Sequence, residues 1–256
     1  MGAPQHVEQQ RTEDPRDWLG STRLLDLDDP KLRLKAHSLT QLCKSEREKA
    51  LAIYGFVKRL PYAKPMKLRL HTAREVMDAG GGDADDKATL FIALLRAAGI
   101  PARLRYVELS GEMLRGLVEN MRAAGRPLAE IWLGRWVRTD TYIFDAAFMA
   151  AARQRLKDHG WPCGYGLHVT GHSLWNGTDD AFLGAAATGH DPMVLRELAV
   201  VSDPRQLVAS PEWRREHRAL TRGLRWNLAA PAMRRVIRQL REEAATPIFD
   251  VHRRTS

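Results

Sequence analysis

The sequence predicts an α+β domain in which helices come first, an antiparallel sheet follows, and a helical extension ends the chain. Three observations carry this. A capping signal at Ser45 opens a run of helical period, a glycine-led acidic turn at 80–83 opens a second, and from residue 102 the pattern changes to alternation. The 256 residues suffice for one large domain or a domain with an extension. A hydrophobic content of 44% places the chain among globular proteins and excludes wholesale disorder.

The elements follow in order. Residues 1 to about 16 are polar and mixed in charge, so a flexible segment is expected over 1–20. A domain is expected over 21–182 and a basic helical extension over 183–256. In Ser45-Glu46-Arg47-Glu48 the serine hydroxyl can accept a first-turn amide while Glu48 reaches back. Ala50, Ile53, Tyr54 and Val57 then share one face, which predicts a helix over 46–59 that Pro61 stops. After Gly80-Gly81-Gly82-Asp83, the carboxylates of Asp85 and Asp86 fall in a first helical turn, where the helix dipole favours them. Leu90, Phe91, Leu94 and Leu95 form its apolar face, and Gly99 and Pro101 close it.

Residues 102–109 alternate, with Leu104 and Tyr106 opposed to Arg103 and Arg105, as in a half-buried strand. Leu128–Leu133 and Trp136–Phe144 read as a hairpin turning at Gly134-Arg135. A helix is expected over 146–160, an ordered loop rich in Gly, His and Trp over 161–182, and helices over 211–222 and 228–244. Pro231 suits the first turn of the last.

The formal charge is +9. Residues 201–256 hold twelve Arg against six Asp or Glu, which allows an acidic partner or simply a solvated helical face. Cys43 and Cys163 are too few for a disulfide framework or a thiolate metal site, and two reduced thiols are expected. No run approaches the ~20 apolar residues that span a bilayer, and no apolar leader follows Met1, so the expected location is the cytoplasm. No cofactor motif occurs.

Four stretches carry a family likeness: Glu48–Tyr54; Gly81-Gly82-Asp83-Ala84-Asp85-Asp86-Lys87-Ala88; Leu94-Leu95-Arg96-Ala97-Ala98-Gly99-Ile100-Pro101-Ala102-Arg103; and Glu130–Val137 with Asp140. Together they resemble the transglutaminase-like family of papain-related cysteine acyltransferases and proteases, over roughly residues 33–145. The resemblance implies a cysteine at the start of the glycine-preceded helix, where free amides and the dipole favour thiolate. It also implies a histidine base on the first hairpin strand and an aspartate on the second that orients the imidazole.

Carried over residue by residue, the nucleophile position is Ala84, the base position falls at or next to Arg126, and the orienting carboxylate is retained as Asp140. A methyl group has no lone pair, a guanidinium stays protonated, and no histidine lies between His71 and His159. Each residue also has a plain reading: Ala84 as a small residue at a tight helix start, Arg126 as a solvated strand end, Asp140 bonded to an amide or to Arg138. Asp83, Asp85 and Asp86 with Asp179-Asp180 could hold a cation or simply charge a helix start. Cys163, His168 and His172 form a weaker alternative site, catalytic or metal-binding, in a glycine-rich loop.

Three functions follow as expectations. The first is a catalytically silent domain whose old cleft binds a peptide, an amide-containing ligand or a partner protein, with Arg126 pairing a carboxylate. The second is an active cysteine acyltransferase or amidohydrolase whose cysteine has been exchanged for alanine. The third is binding of nucleic acid or another acidic partner through Arg214, Arg215, Arg218, Arg222, Arg225, Arg234, Arg235 and Arg238. Met233, Val236, Ile237 and Leu240 would give that last helix an apolar side suited equally to packing on a domain.

Overall fold

The computed structural model describes residues 14–119, 121–184, 193–210 and 219–245. Its architecture is α+β, as the sequence predicts. In chain order the elements are α1 (Pro30–Thr40), α2 (Glu46–Arg59), α3 (Ala73–Ala79), α4 (Ala84–Ala97), β1 (Ala102–Ser110), β2 (Ala123–Trp132), β3 (Trp136–Thr139), α5 (Ala146–His159), β4 (Cys163–Gly164), β5 (Leu167–His168), β6 (Val194–Val201), α6 (Pro204–Ala209) and α7 (Ala219–Ala245).

The start of α4 is fixed by a reciprocal cap. The Asp83 carboxylate accepts from the Asp86 amide at 3.2 Å, and Asp86 accepts from the Asp83 amide at 3.3 Å. From Asp86 to Arg96 every residue of α4 is buried. A helix apolar on all sides must be surrounded, and α1, α2 and α3 flank it while β1 and β2 lie across it. Burying Leu90, Phe91, Ile92, Leu94 and Leu95 completely stabilises the fold by about 1.5–3 kcal/mol per side chain. At α2 the cap is shifted: Ser45 Oγ accepts from the Glu48 amide at 3.2 Å, but the Glu48 carboxylate reaches the Lys44 amide at 2.7 Å.

The sheet runs β3-β2-β1-β6, antiparallel throughout, with Val107 opposite Arg126 and Tyr106 opposite Pro127. The hairpin lies where expected, Gly134 supplying φ +83 at its turn. Its second strand is shorter than the expected 136–144 and ends at Thr139. The Thr141 amide there bonds to Thr139 Oγ1 at 3.2 Å rather than to a ladder carbonyl, a local side-chain bond that competes with pairing.

Two expectations for the C-terminal region are corrected. Residues 194–201, read as part of a helical extension, form the edge strand β6 on β1. Pro231 does not open a helix but lies inside α7, on its exposed side. Its ring there meets solvent, while Ala230, Met233, Ile237 and Leu240 are buried against α5 and the core. One continuous stripe of burial outweighs one missing amide donor. Of the helix expected over 211–222, residues 211–218 lie outside the described residues.

Candidate functional site: a guanidinium clamped on a buried carboxylate

Ala84 is the first residue of α4, half-buried, directly after the Asp83 cap. The next side chain fixes that turn against the sheet: Tyr106 Oη donates to Asp85 Oδ1 at 2.7 Å. Tyr106 is opposite Pro127, and the Pro127 carbonyl accepts from Tyr142 Oη at 3.0 Å. A second chain of contacts starts at Gly82, which bridges to Tyr62. The Tyr62 ring meets Phe144 edge-on at 4.7 Å, and Phe144 lies under Gly166 beside Arg126. The first turn of α4 is thus tied from two sides to the strand segment that carries Arg126.

Arg126 is not a solvated strand end. Its side chain is 7% exposed and that of Asp140 1%, and the two form an ion pair with Nη1 to Oδ2 at 3.0 Å. Nη2 donates to the Gly166 carbonyl at 2.5 Å, and the second Asp140 oxygen accepts from the Leu183 amide at 2.7 Å. Asp140 therefore bonds to an amide, as one plain reading holds, but its arginine is Arg126. Arg138 instead pairs with Asp180 at 2.7 Å.

Gly166 reaches its place because the two-residue β4–β5 turn puts Tyr165 and Gly166 at φ 53 and 85. The Tyr165 and Gly166 amides then bond to the Arg115 and Met113 carbonyls at 2.7 and 2.6 Å. The glycine-rich loop closes over the guanidinium, which is held by Asp140, itself fixed by the Leu183 amide, and by the Gly166 carbonyl.

Lys58 stands behind Asp140. Its ammonium donates to the Thr141 carbonyl at 2.7 Å. Burial lowers its pKa to about 8, against the pull of Asp140 and Asp145. Sequence reasoning missed it, although Lys58 follows Tyr54 by four residues and so shares the core-facing stripe of α2. Burial likewise raises the phenols of Tyr62, Tyr106 and Tyr142, with Asp85 adding to the rise at each.

The acidic helix start is an ion-pair network. Asp83 pairs with Lys64 at 3.1 Å and Lys67 at 2.6 Å, and Asp86 pairs with Lys67 at 2.6 Å and His71 at 3.2 Å. Burial and the neighbouring Asp83 raise the Asp86 carboxyl to about 6, with Lys67 and His71 opposing. Asp179 pairs with Arg135, away from this network's partners. Among the described residues no group of three His, Cys, Asp or Glu could hold a metal ion.

The helix α7 secures the segment between α2 and α3. Arg241 binds Asp145 at 2.6 and 2.9 Å and the Tyr62 carbonyl at 3.0 Å, and Arg234 binds the Lys64 carbonyl at 2.7 Å. These arginines hold the domain together. Arg235 and Arg238 face solvent.

The structure does not gather Cys163, His168 and His172 into a working site. Cys163 is buried with its sulfur 3.9 Å from Met193 Sδ. Although His168 is its partner in the β4–β5 register, the His168 ring turns to Thr170 Oγ1 at 2.8 Å, and His172 accepts from the Phe182 amide at 3.3 Å. Cys43 is half-exposed just after α1, its sulfur 3.8 Å from the Leu39 carbonyl.

Part of the chain is similar to known proteins. Residues 34–141 match the model of the transglutaminase-like superfamily, from α1 through Asp140, and form a transglutaminase-like domain. A crystal structure of a proposed cysteine protease from Cytophaga hutchinsonii is also similar, at 24% identity and a TM-score of 0.40. That similarity covers 52% of this chain and 42% of the other, so the chain spans under half the length of that neighbour. No curated protein matches the chain. No helix among the described residues is long and apolar enough to cross a membrane.

Proposed function

We propose that this transglutaminase-like domain is catalytically silent and acts by binding a peptide, an amide-containing ligand or a partner protein beside Ala84. The observation that carries the reading is the Arg126–Asp140 pair. In a thiol acyltransferase the nucleophile must lose a proton to a base, and the leaving amine must gain one. A methyl group at 84 supplies no electron pair. A guanidinium at the base position accepts no proton at any working pH, and it holds the carboxylate that would otherwise orient an imidazole. Arg126 meets the chain's own carboxylate, so ligand recognition beside Ala84 does not draw on a free guanidinium.

The pair also bears on the exchanged-cysteine reading. If alanine merely stood in for cysteine, the base would still be missing, because Arg126 is clamped where it would act. Nucleic-acid binding through the last helix is less favoured, since Arg234 and Arg241 are engaged within the domain. Two assays test the reading. The purified chain treated with thiol-directed acyl probes and amide substrates is expected to give no adduct and no turnover; labelling of Cys163 that depends on His168 would overturn silence. Peptide-library selection followed by NMR mapping is expected to place binding at residues around Ala84 and Tyr106. Selected peptides that perturb only distant surfaces would remove the cleft as the binding site.

A further inference from the structure

Segment 62–67 is held between two elements that lie far apart in the sequence. On one side it is tied to the start of α4. The Gly82 amide donates to the Pro61 carbonyl at 3.3 Å, and the Ala63 amide donates to the Gly82 carbonyl at 3.0 Å. Lys64 and Lys67 bring their ammonium groups to Asp83, and Lys67 also meets Asp86. On the other side α7 takes the same segment by its backbone. Arg241 donates to the Tyr62 carbonyl at 3.0 Å and Arg234 to the Lys64 carbonyl at 2.7 Å. Asn227 holds Lys67 at two points, its Oδ1 accepting from the amide at 2.9 Å and its Nδ2 donating to the carbonyl at 2.7 Å. Three side chains of one helix thus grip residues 62, 64 and 67, and two of these are the lysines that neutralise the helix start beside Ala84.

The grip is uneven along α7. Pro231 has no amide, so the carbonyl four residues earlier, that of Asn227, is left without its helical donor. The interruption falls at the residue that clamps Lys67. Beyond it Met233, Ile237 and Leu240 are buried, and Arg241 adds its pair with Asp145 at 2.6 Å. Ahead of it, among the described side chains, only Ala230 is buried and Leu228 is 69% exposed, so the Asn227 bonds make much of the attachment. A helix fastened by an apolar stripe at one end and by two neutral hydrogen bonds at the other, with a ladder bond missing between them, opens first at the weaker end.

We infer that α7 is a hinged strap whose part ahead of Pro231 detaches, releasing Lys67 and loosening the start of α4 beside Ala84. Asn227 is then a positioning residue for the cleft, acting through Lys67 on Asp83 and Asp86. What the cleft binds rests on the function proposed above, but the strap itself is tested without any ligand. The test is amide hydrogen exchange of the full chain, resolved by NMR, in the parent, Asn227→Ala and Pro231→Ala. Asn227→Ala is expected to speed exchange about tenfold at Ala63, Lys67, Gly82 and Asp86 and to leave the β2–β3 hairpin amides as in the parent. Pro231→Ala restores the missing donor and should slow exchange at the same four amides. Asn227→Asp, which keeps an acceptor for the Lys67 amide, replaces the alanine variant if that fails to fold. Faster exchange everywhere including the hairpin, an effect confined to α7, or a Pro231→Ala protein that exchanges like the parent would each overturn the strap. A peptide selected on the parent should bind Asn227→Ala about tenfold less tightly, and unchanged affinity would overturn the coupling to the cleft. If the parent binds no peptide, the binding role fails and the exchange result alone decides the strap.

Discussion

Replacing Asp140 by Asn probes the clamp with little change of shape. The amide oxygen can still accept from the Leu183 amide, which bonds Asp140 at 2.7 Å, so the lost term is the negative charge facing Arg126. Both side chains are almost wholly buried. Breaking such a pair by removing one member costs about 3–5 kcal/mol, because the other charge stays buried without its counter-ion. For a domain of this size that lowers the melting temperature by roughly 6–20 °C. Arg126→Met should cost a similar amount by stranding the carboxylate near Lys58. The double variant Arg126→Met/Asp140→Asn should recover most of the loss, since neither charge is then left buried without its counter-ion. Urea denaturation of the four proteins gives the coupling energy. A cost under about 1 kcal/mol for Asp140→Asn, or strictly additive single effects, would refute the claim that the pair is a fixed part of the core.

Two further outcomes follow. Gly166→Ala would drive a Cβ into the Phe144 ring at φ +85 and displace the carbonyl that binds Arg126. Its cost should exceed the ~1 kcal/mol typical of point substitutions, and a thermal melt within error of the parent would contradict the packing described. Asp86 titrates near pH 6 when folded, above its ordinary 3.8, so the folded state holds a proton that the unfolded chain has lost. Its contribution to stability is full below about pH 4 and is lost as pH rises through 6, by up to about 3 kcal/mol. Denaturation midpoints from pH 4 to 7 should therefore vary less in Asp86→Asn than in the parent, and an unchanged pH slope would show that another group is responsible.

The helix-to-strand order was legible because short-range patterns encode it: glycines before an acidic first turn open an apolar helix, and a hairpin turns on Gly134. Ala84, Arg126 and Asp140 were reached only through the family resemblance, and the pairing of Arg126 with Asp140 was not foreseen. Several elements had local signals that were passed over: Asp29-Pro30 caps α1, Thr72 and Glu75 form a full capping box before α3, and Asp203-Pro204 opens α6. The edge strand β6 was harder to read, because only Val201 in it is buried and its alternation is weak. What no local pattern encodes is long-range pairing. That Lys64 and Lys67 neutralise the helix-start aspartates, that Gly166 clamps Arg126 from 40 residues away, and that α7 grips the segment before α3 are consequences of folding the whole chain.

The central claim is that both the nucleophile and the base are missing, so restoring one is not enough. Intact-protein mass spectrometry with an activated acyl donor, paired with an amide-turnover assay, tests this on the parent, Ala84→Cys and Ala84→Cys/Arg126→His. The account predicts an unmodified parent and an Ala84→Cys protein that acquires a thiol at the helix start without turning over amides, because Arg126 still occupies the base position. Turnover by Ala84→Cys alone, or an acyl adduct on the parent chain, would contradict it.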